Sequence, residues 1–200
     1  DRLGAMLRSD PQVVMIERLR DPSTAVIVAP YAKEIRFYLG VPAEDTLKAA
    51  RTWVKAVGDN KKAAASLAGV VSQRLIRKLC ETCKTAYTPD PAALRKLNLP
   101  ADKVGQLYHS SGQVVIRDKP QACPLCHGIG YRGRIGVFEV MVLDDQARQF
   151  LAAGNEDQLR SHLRKQKMLY LQEAALAKVV EGMTDIKEVN RRIDDFGRRK

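Results

Sequence analysis

The sequence predicts an α/β protein built in three blocks, on three observations. Short β-rich runs alternate with helical periodicity from Leu3 to about Leu79, four cysteines fall as two Cys-x-x-Cys pairs in the middle, and capped helical patterns fill the end. The corresponding divisions are 1–79, 80–134 and 135–200. The 200 residues are 45% hydrophobic, enough for one or two compact cores. No apolar run approaches the roughly 18 residues of a membrane span. The first residue is Asp1 rather than Met, so the sequence reads as a piece of something longer.

In the first block, Val13-Val14-Met15-Ile16 and the run from Ile35 to Val41 read as strands. After Pro42, Leu47, Ala50, Val54 and Val57 recur at helical spacing, Gly58 closes the helix, and Trp53 packs beside its apolar face. Ala63 to Leu79 reads as a second, more buried helix. The first strand ends in Glu17. In P-loop nucleotide hydrolases an acid at the carboxyl end of a strand holds Mg²⁺ or positions the attacking water. A buried strand ending in a solvated carboxylate has the same pattern, and the partner string Gly-x-x-x-x-Gly-Lys-Ser/Thr does not occur in the chain.

The middle block holds all four cysteines: Cys80 with Cys83, and Cys123 with Cys126. Two residues between cysteines let both sulfurs turn toward one point, and two such knuckles supply the four soft ligands of a closed zinc site. The 39 residues between Cys83 and Cys123 exceed the usual ribbon spacing of about 17. That extra length costs roughly 0.7 kcal/mol of loop closure, against about 10–16 kcal/mol returned by structural zinc. Asp90, Pro91 and Ala92 open a short helix through Leu97, and Val114, Val115 and Ile116 read as a strand, so the insertion has structure of its own. Two disulfides are the first rival, disfavoured because no secretory segment is visible. The second is c-type haem attachment at Cys123-Pro124-Leu125-Cys126-His127, which leaves Cys80 and Cys83 unexplained. Gly128, Gly130, Gly133 and Gly136 suit tight turns around a metal better than a phosphate cradle, since no helix follows them.

The last block reads as four short helices in a small bundle. Asp144 or Asp145 caps one that ends at Gly154, and Asn155 caps the next, with Leu159 and Leu163 on one face. Tyr170 to Glu181 forms the third, stopped by Gly182, and Thr184 caps the fourth through Ile186, Val189 and Ile193. His162 stands alone on a polar face and reads as solvated. A net charge of +11 permits a nucleic acid, acidic phospholipid or nucleotide phosphate partner. The charge is spread along the chain, and at 6% aromatic residues the chain is poor in base-stacking surface, which argues against nucleic acid.

Several motifs, in order, resemble the secretion ATPases of type II secretion and type IV pilus assembly, the GspE/PulE/PilB family. They are Met6-Leu7-Arg8-Ser9-Asp10-Pro11 with Leu19-Arg20-Asp21, and Gly69-Val70-Val71-Ser72-Gln73-Arg74-Leu75-Ile76-Arg77-Lys78-Leu79-Cys80. Gly128-Ile129-Gly130-Tyr131-Arg132-Gly133-Arg134-Ile135-Gly136-Val137-Phe138-Glu139 and Glu181-Gly182-Met183-Thr184 continue the match. The resemblance implies the Walker B half of a RecA-like P-loop core, then a tetracysteine zinc module and a helical end piece. It implies a homo-hexamer that uses ATP and Mg²⁺ with the phosphate-binding loop upstream. It also implies work with inner-membrane platform proteins at the cytoplasmic face. On this reading Glu17 is the catalytic carboxylate, Arg20 and Arg74 face the nucleotide, and Cys80, Cys83, Cys123 and Cys126 hold Zn²⁺.

The departures fall at the nucleotide side. Asp10-Pro11-Gln12 stands where the family reads Asp-Pro-Asp, and Glu17-Arg18-Leu19-Arg20-Asp21 where it reads Gly-Glu-Ile-Arg-Asp. Arg18 therefore occupies the expected glutamate position, with Glu17 one residue early, which in a strand is the opposite face. The family's two histidine motifs align on Glu34-Ile35-Arg36 and Pro42-Ala43-Glu44-Asp45, so both histidines are absent. Three function classes follow: a motor ATPase, a catalytically degenerate structural subunit of the same machinery, and a zinc-ribbon nucleic-acid binder. Nucleotide turnover separates the first two, and a steep salt dependence of DNA binding marks the third.

Overall fold

The computed structural model describes residues 2–193. The chain folds as two compact units. One holds the chain up to Ser72 together with Glu139–Leu169, the other Gln73–Phe138 together with the chain from Tyr170. The first unit opens with α1 (Arg2–Leu7), β1 (Val13–Ile16), α2 (Pro22–Tyr31) and β2 (Arg36–Leu39). β1 and β2 pair in parallel, Val13 with Arg36 through Ile16 with Leu39, and α2 is the crossover that parallel pairing requires. Asp21 caps α2 by accepting from the Thr24 N–H at 3.0 Å, and Pro22 gives up no needed donor in the first turn. α3 (Thr46–Val57) and α4 (Asn60–Ser66) follow, and Gly58 ends α3 in the left-handed region at φ 75°. Trp53 closes a core with Leu19, Ala25, Val28 and Ala63, and its indole N–H donates to the Ser66 hydroxyl at 3.0 Å.

The expected helix from Ala63 to Leu79 is corrected. α4 stops at Ser66, and Gly69–Leu79 is strand β3, paired with the strand Tyr131–Val142. The backbone bonds flanking this ladder, Leu143 N–H to Ala68 C=O and Cys80 N–H to Gly130 C=O, run antiparallel. Ser72, Ile76 and Leu79 are buried whereas Val71 and Leu75 are exposed, so the four-residue recurrence of Val71, Leu75 and Leu79 is not one buried helical face. Consecutive Val70 and Val71 favour extended backbone, and ladder pairing decides the matter.

The second unit continues with β4 (Lys84–Tyr87), α5 (Pro91–Lys96), β5 (Leu107–Ser110), β6 (Gln113–Ile116), β7 (Lys119–Ala122) and β8 (Tyr131–Val142). β4 pairs antiparallel with β5, and β6 with β7. Asp90 caps α5, as its position before Pro91 predicts. Residues 135–142, placed by sequence in the helical block, belong to β8, whose Val137, Glu139 and Met141 alternate as buried positions.

The terminal helices α6 (Asp145–Ala152), α7 (Glu156–Lys165), α8 (Leu171–Val180) and α9 (Ile186–Arg192) form at the expected places. They do not make one bundle. α6 and α7 belong to the first unit, α8 and α9 to the second. The apolar face of α8 and α9 is satisfied by Ile76, Leu94, Leu107 and Val137. Asp144 and Asn155 cap α6 and α7 as expected. The cap of α9 is Asp185 rather than Thr184: its carboxylate accepts from the Glu188 N–H at 2.8 Å, while the Thr184 hydroxyl donates to the Arg77 carbonyl at 2.9 Å. His162 is not solvated alone but half-buried, 2.8 Å from Asp144 and edge-on to Phe150. Among the described residues no helix is long and apolar enough to cross a membrane.

Candidate functional site

The four cysteines converge. Each is buried, and their sulfurs all lie within 4.8 Å of one another. Cys80 Sγ is 3.9 Å from Cys123 Sγ, and Cys83 Sγ is 3.6 Å from Cys126 Sγ. A tetrahedral ion with metal–sulfur bonds of about 2.3 Å needs sulfur–sulfur edges of about 3.8 Å, so the residues present fit one ion. All four thiols are free, which sets the disulfide reading aside. Their shared burial with Cys80 and Cys83 also leaves the Cys-x-x-Cys-His string no accessible pair for haem attachment, and His127 is exposed.

The turns that aim the sulfurs are written into the backbone. Cys83 and Lys84 donate their N–H groups to the Cys80 carbonyl, and Ile129 donates to the Cys126 carbonyl, so each pair is wound into a tight knuckle. The Gly130 N–H donates to Cys126 Sγ at 3.2 Å, and Gly130 C=O accepts from Cys80 N–H, tying the knuckles together. Gly112 is indispensable here: at φ 76°, an added Cβ would sit 2.2 Å from the Gly128 carbonyl oxygen. Burial, with hydrogen bonding to Cys126, pushes the Cys83 thiol up. Burial acts in the same sense on Cys126, yet the Gly130 N–H and the neighbouring sulfurs outweigh it and pull that thiol down. A metal ion displaces the protons that this cluster otherwise shares. Val114 packs against the cysteines.

The residues expected on the nucleotide side fall in both units. Glu17, Arg18 and Arg20 are exposed in the segment after β1 in the first unit, and Arg74 lies on β3 in the second. β1 ends at Ile16, so Glu17 and Arg18 stand beyond the strand, and both reach solvent rather than opposite faces of a sheet. The segment wraps the backbone of Gly40, whose N–H donates to Ile16 C=O and whose C=O accepts from Leu19 N–H. A Cβ on Gly40 would lie 2.0 Å from the Glu17 carbonyl oxygen, so glycine is required for that approach. Arg74 donates to the Gln73 carbonyl at 2.8 Å.

Two buried polar clusters escaped the sequence reading. Glu139, almost fully buried on β8, accepts from the Thr46 N–H at 2.9 Å and from its hydroxyl, holding the first turn of α3. Its alternation with Val137 and Met141 was the available signal. In the second unit, Glu188 is fully buried and accepts from Arg77 Nε and Arg191 Nε, each at 2.8 Å. Beside it the Tyr131 hydroxyl donates to Asp185 at 2.8 Å, and the Arg77 guanidinium lies 3.9 Å from the Tyr131 ring centroid. Since Tyr131 follows Gly130, this network anchors the second cysteine knuckle to the cap of α9.

Residues 1–191 match the family model described as Type II/IV secretion system protein. The chain belongs to this family. It is 33% identical over 191 residues to the type IV pilus assembly ATPase PilB of Thermus thermophilus, covering 94% of this chain and 20% of that protein. It is 32% identical over 192 residues to the putative type II secretion system protein E of Escherichia coli, covering 94% of this chain and 36% of that one. The chain thus spans between a fifth and about a third of the length of these curated relatives. In fold it is similar to the X-ray structure of the Legionella pneumophila ATPase DotB, with a TM-score of 0.59 at 14% identity, covering 94% of this chain and 40% of that one.

Proposed function

We propose that this chain is the carboxyl part of the ATPase domain of a secretion or pilus assembly motor, coupling ATP turnover to assembly of a pseudopilus or pilus. The observation that carries the reading is the family match across residues 1–191, joined to a tetracysteine cluster whose spacing fits one ion. The parallel β1–α2–β2 unit supports assignment to the second half of a RecA-like core. The metal is Zn²⁺, held by Cys80, Cys83, Cys123 and Cys126. Among the described residues only these four side chains group as donors, which suits a closed site, so its part is structural: it crosslinks the two knuckles and takes no part in the reaction.

The string Gly-x-x-x-x-Gly-Lys-Ser/Thr is absent from these 200 residues, so they do not by themselves form a phosphate cradle. Bound ATP with Mg²⁺ would supply the transferable phosphoryl group. What this chain offers is Glu17, a carboxylate just past the carboxyl end of β1, where α/β sheets place their ligands. Its role is to orient water, with Arg20 of the same segment as the cation that faces phosphate. A homo-hexamer at the cytoplasmic face of the inner membrane, working with platform proteins there, completes the proposal. The test is steady-state ATP hydrolysis by the full-length protein: Glu17→Gln should lower kcat by about 10²-fold or more. Turnover unchanged by that substitution removes Glu17 from the role, and no turnover in the parent protein makes the chain a scaffold.

A further inference from the structure

The first unit contains a cavity of about 300 Å³ between α3, the start of α4 and the corner joining α6 to α7. Its surfaces include the buried Leu47, Leu151 and Leu159, with Val54 and Phe150 half-buried beside them. Two cations of α3 line it, Arg51 and, one turn later, Lys55. Arg51 is already engaged, paired with Glu156 of α7 at 2.8 Å, and Glu156 is held in turn by Arg160 at 2.6 Å. Lys55 is exposed and has no ion pair or hydrogen-bond partner among the described residues.

We infer that this cavity binds a small amphipathic carboxylate, its apolar body against Leu47, Leu151 and Leu159 and its carboxylate at the Lys55 ammonium. The volume lies at the lower end of small-molecule sites, and an apolar lining with a single unengaged charge is the pattern of such sites. Glu156 also lines the cavity and offsets Arg51, so the net charge of the lining is that of Lys55: it attracts an anionic head, adds nothing for a neutral ligand and repels a cationic one. A whole phospholipid exceeds the space. The inference is independent of ATP turnover and of metal at the cysteines.

The probe is octanoate, titrated into this chain and followed by amide NMR shifts of Val54, Leu151 and Leu159. Octanol and octyltrimethylammonium serve as neutral and cationic comparisons. Octanoate should give saturable shifts at these residues, octanol should bind about fivefold more weakly, and the cation should give none. Lys55→Met should weaken octanoate about fivefold and leave octanol unchanged, while Lys55→Arg restores the difference. Because Lys55 is exposed, these substitutions test the charge without disturbing the core. Val54→Phe, with a folded spectrum, should abolish both responses by filling the space. The inference is overturned by absence of saturable shifts at the lining, by equal binding of octanoate and the cation, or by Lys55→Met weakening octanoate and octanol alike.

Discussion

Replacing Glu188 by Gln should remove about 3 kcal/mol from the second unit at neutral pH and flatten its acid sensitivity. The Glu188 carboxylate has no solvent exposure, and burial alone would raise its pKa. Hydrogen bonds from Arg191 and Arg77, with the Arg77 charge, outweigh burial and pull it from 4.5 to about 2. A gap of that size, at about 1.4 kcal/mol per unit, corresponds to roughly 3 kcal/mol favouring the folded state. The folded value is the depressed one, so the contribution is fully present above about pH 4.5 and is lost as pH falls toward 2. At pH 3 somewhat more than half of it should be gone, leaving wild type and Glu188→Gln within about 1.5 kcal/mol. Urea denaturation at pH 7, 5 and 3, followed through amide signals of β3 and α9, measures both gaps. A gap that stays constant from pH 7 to pH 3 refutes the assignment of that acid sensitivity to Glu188. A gap below about 0.5 kcal/mol at pH 7 refutes the energetic reading of the network.

Three further substitutions probe other links in the fold. Gly40→Ala places a Cβ against the Glu17 carbonyl and should cost the first unit about 3 kcal/mol, read by thermal denaturation through Trp53 fluorescence; an unchanged midpoint would show that the segment after β1 yields freely. Asp45→Ala removes the α3 cap, whose carboxylate accepts from the Lys48 N–H at 2.7 Å, and should cost about 1 kcal/mol while Asp45→Asn costs much less. Lys62→Ala breaks an exposed pair with Asp59 at 3.8 Å, and the same denaturation assay should show a change below about 0.5 kcal/mol.

What the sequence revealed follows from how local each determinant is. The run Val13–Ile16, the caps Asp90, Asp144 and Asn155, and the stops at Gly58 and Gly182 act within one turn or strand, and all appear where expected. The cysteines were legible because two residues of spacing already constrain where both sulfurs of a pair point. The stretch after Ser66 was not, since Val71, Leu75 and Leu79 recur at helical spacing, and only pairing with β8, some 60 residues away, selects the strand. The four terminal helices were read one by one correctly, but an amphipathic face does not name the core it joins. That is why α6 and α7 part from α8 and α9. Glu188 was invisible for a related reason: a glutamate in the first turn of a short polar helix looks solvated until Arg77, 111 residues earlier, is brought onto it. At the strand end, sequence located Glu17 and Arg18 but placed them on opposite faces, because it carried the strand past Ile16.

Two distant Cys-x-x-Cys pairs converge in the second unit of this secretion-family chain, and on the proposed reading they form one closed structural zinc centre. X-ray absorption at the zinc edge, combined with metal quantification on protein purified under reducing conditions, tests it most directly. One zinc per chain with four sulfur neighbours at about 2.3 Å is expected, with loss of that shell on Cys123→Ser. Metal-free protein from zinc-replete medium, or a shell of nitrogen and oxygen ligands, would contradict it.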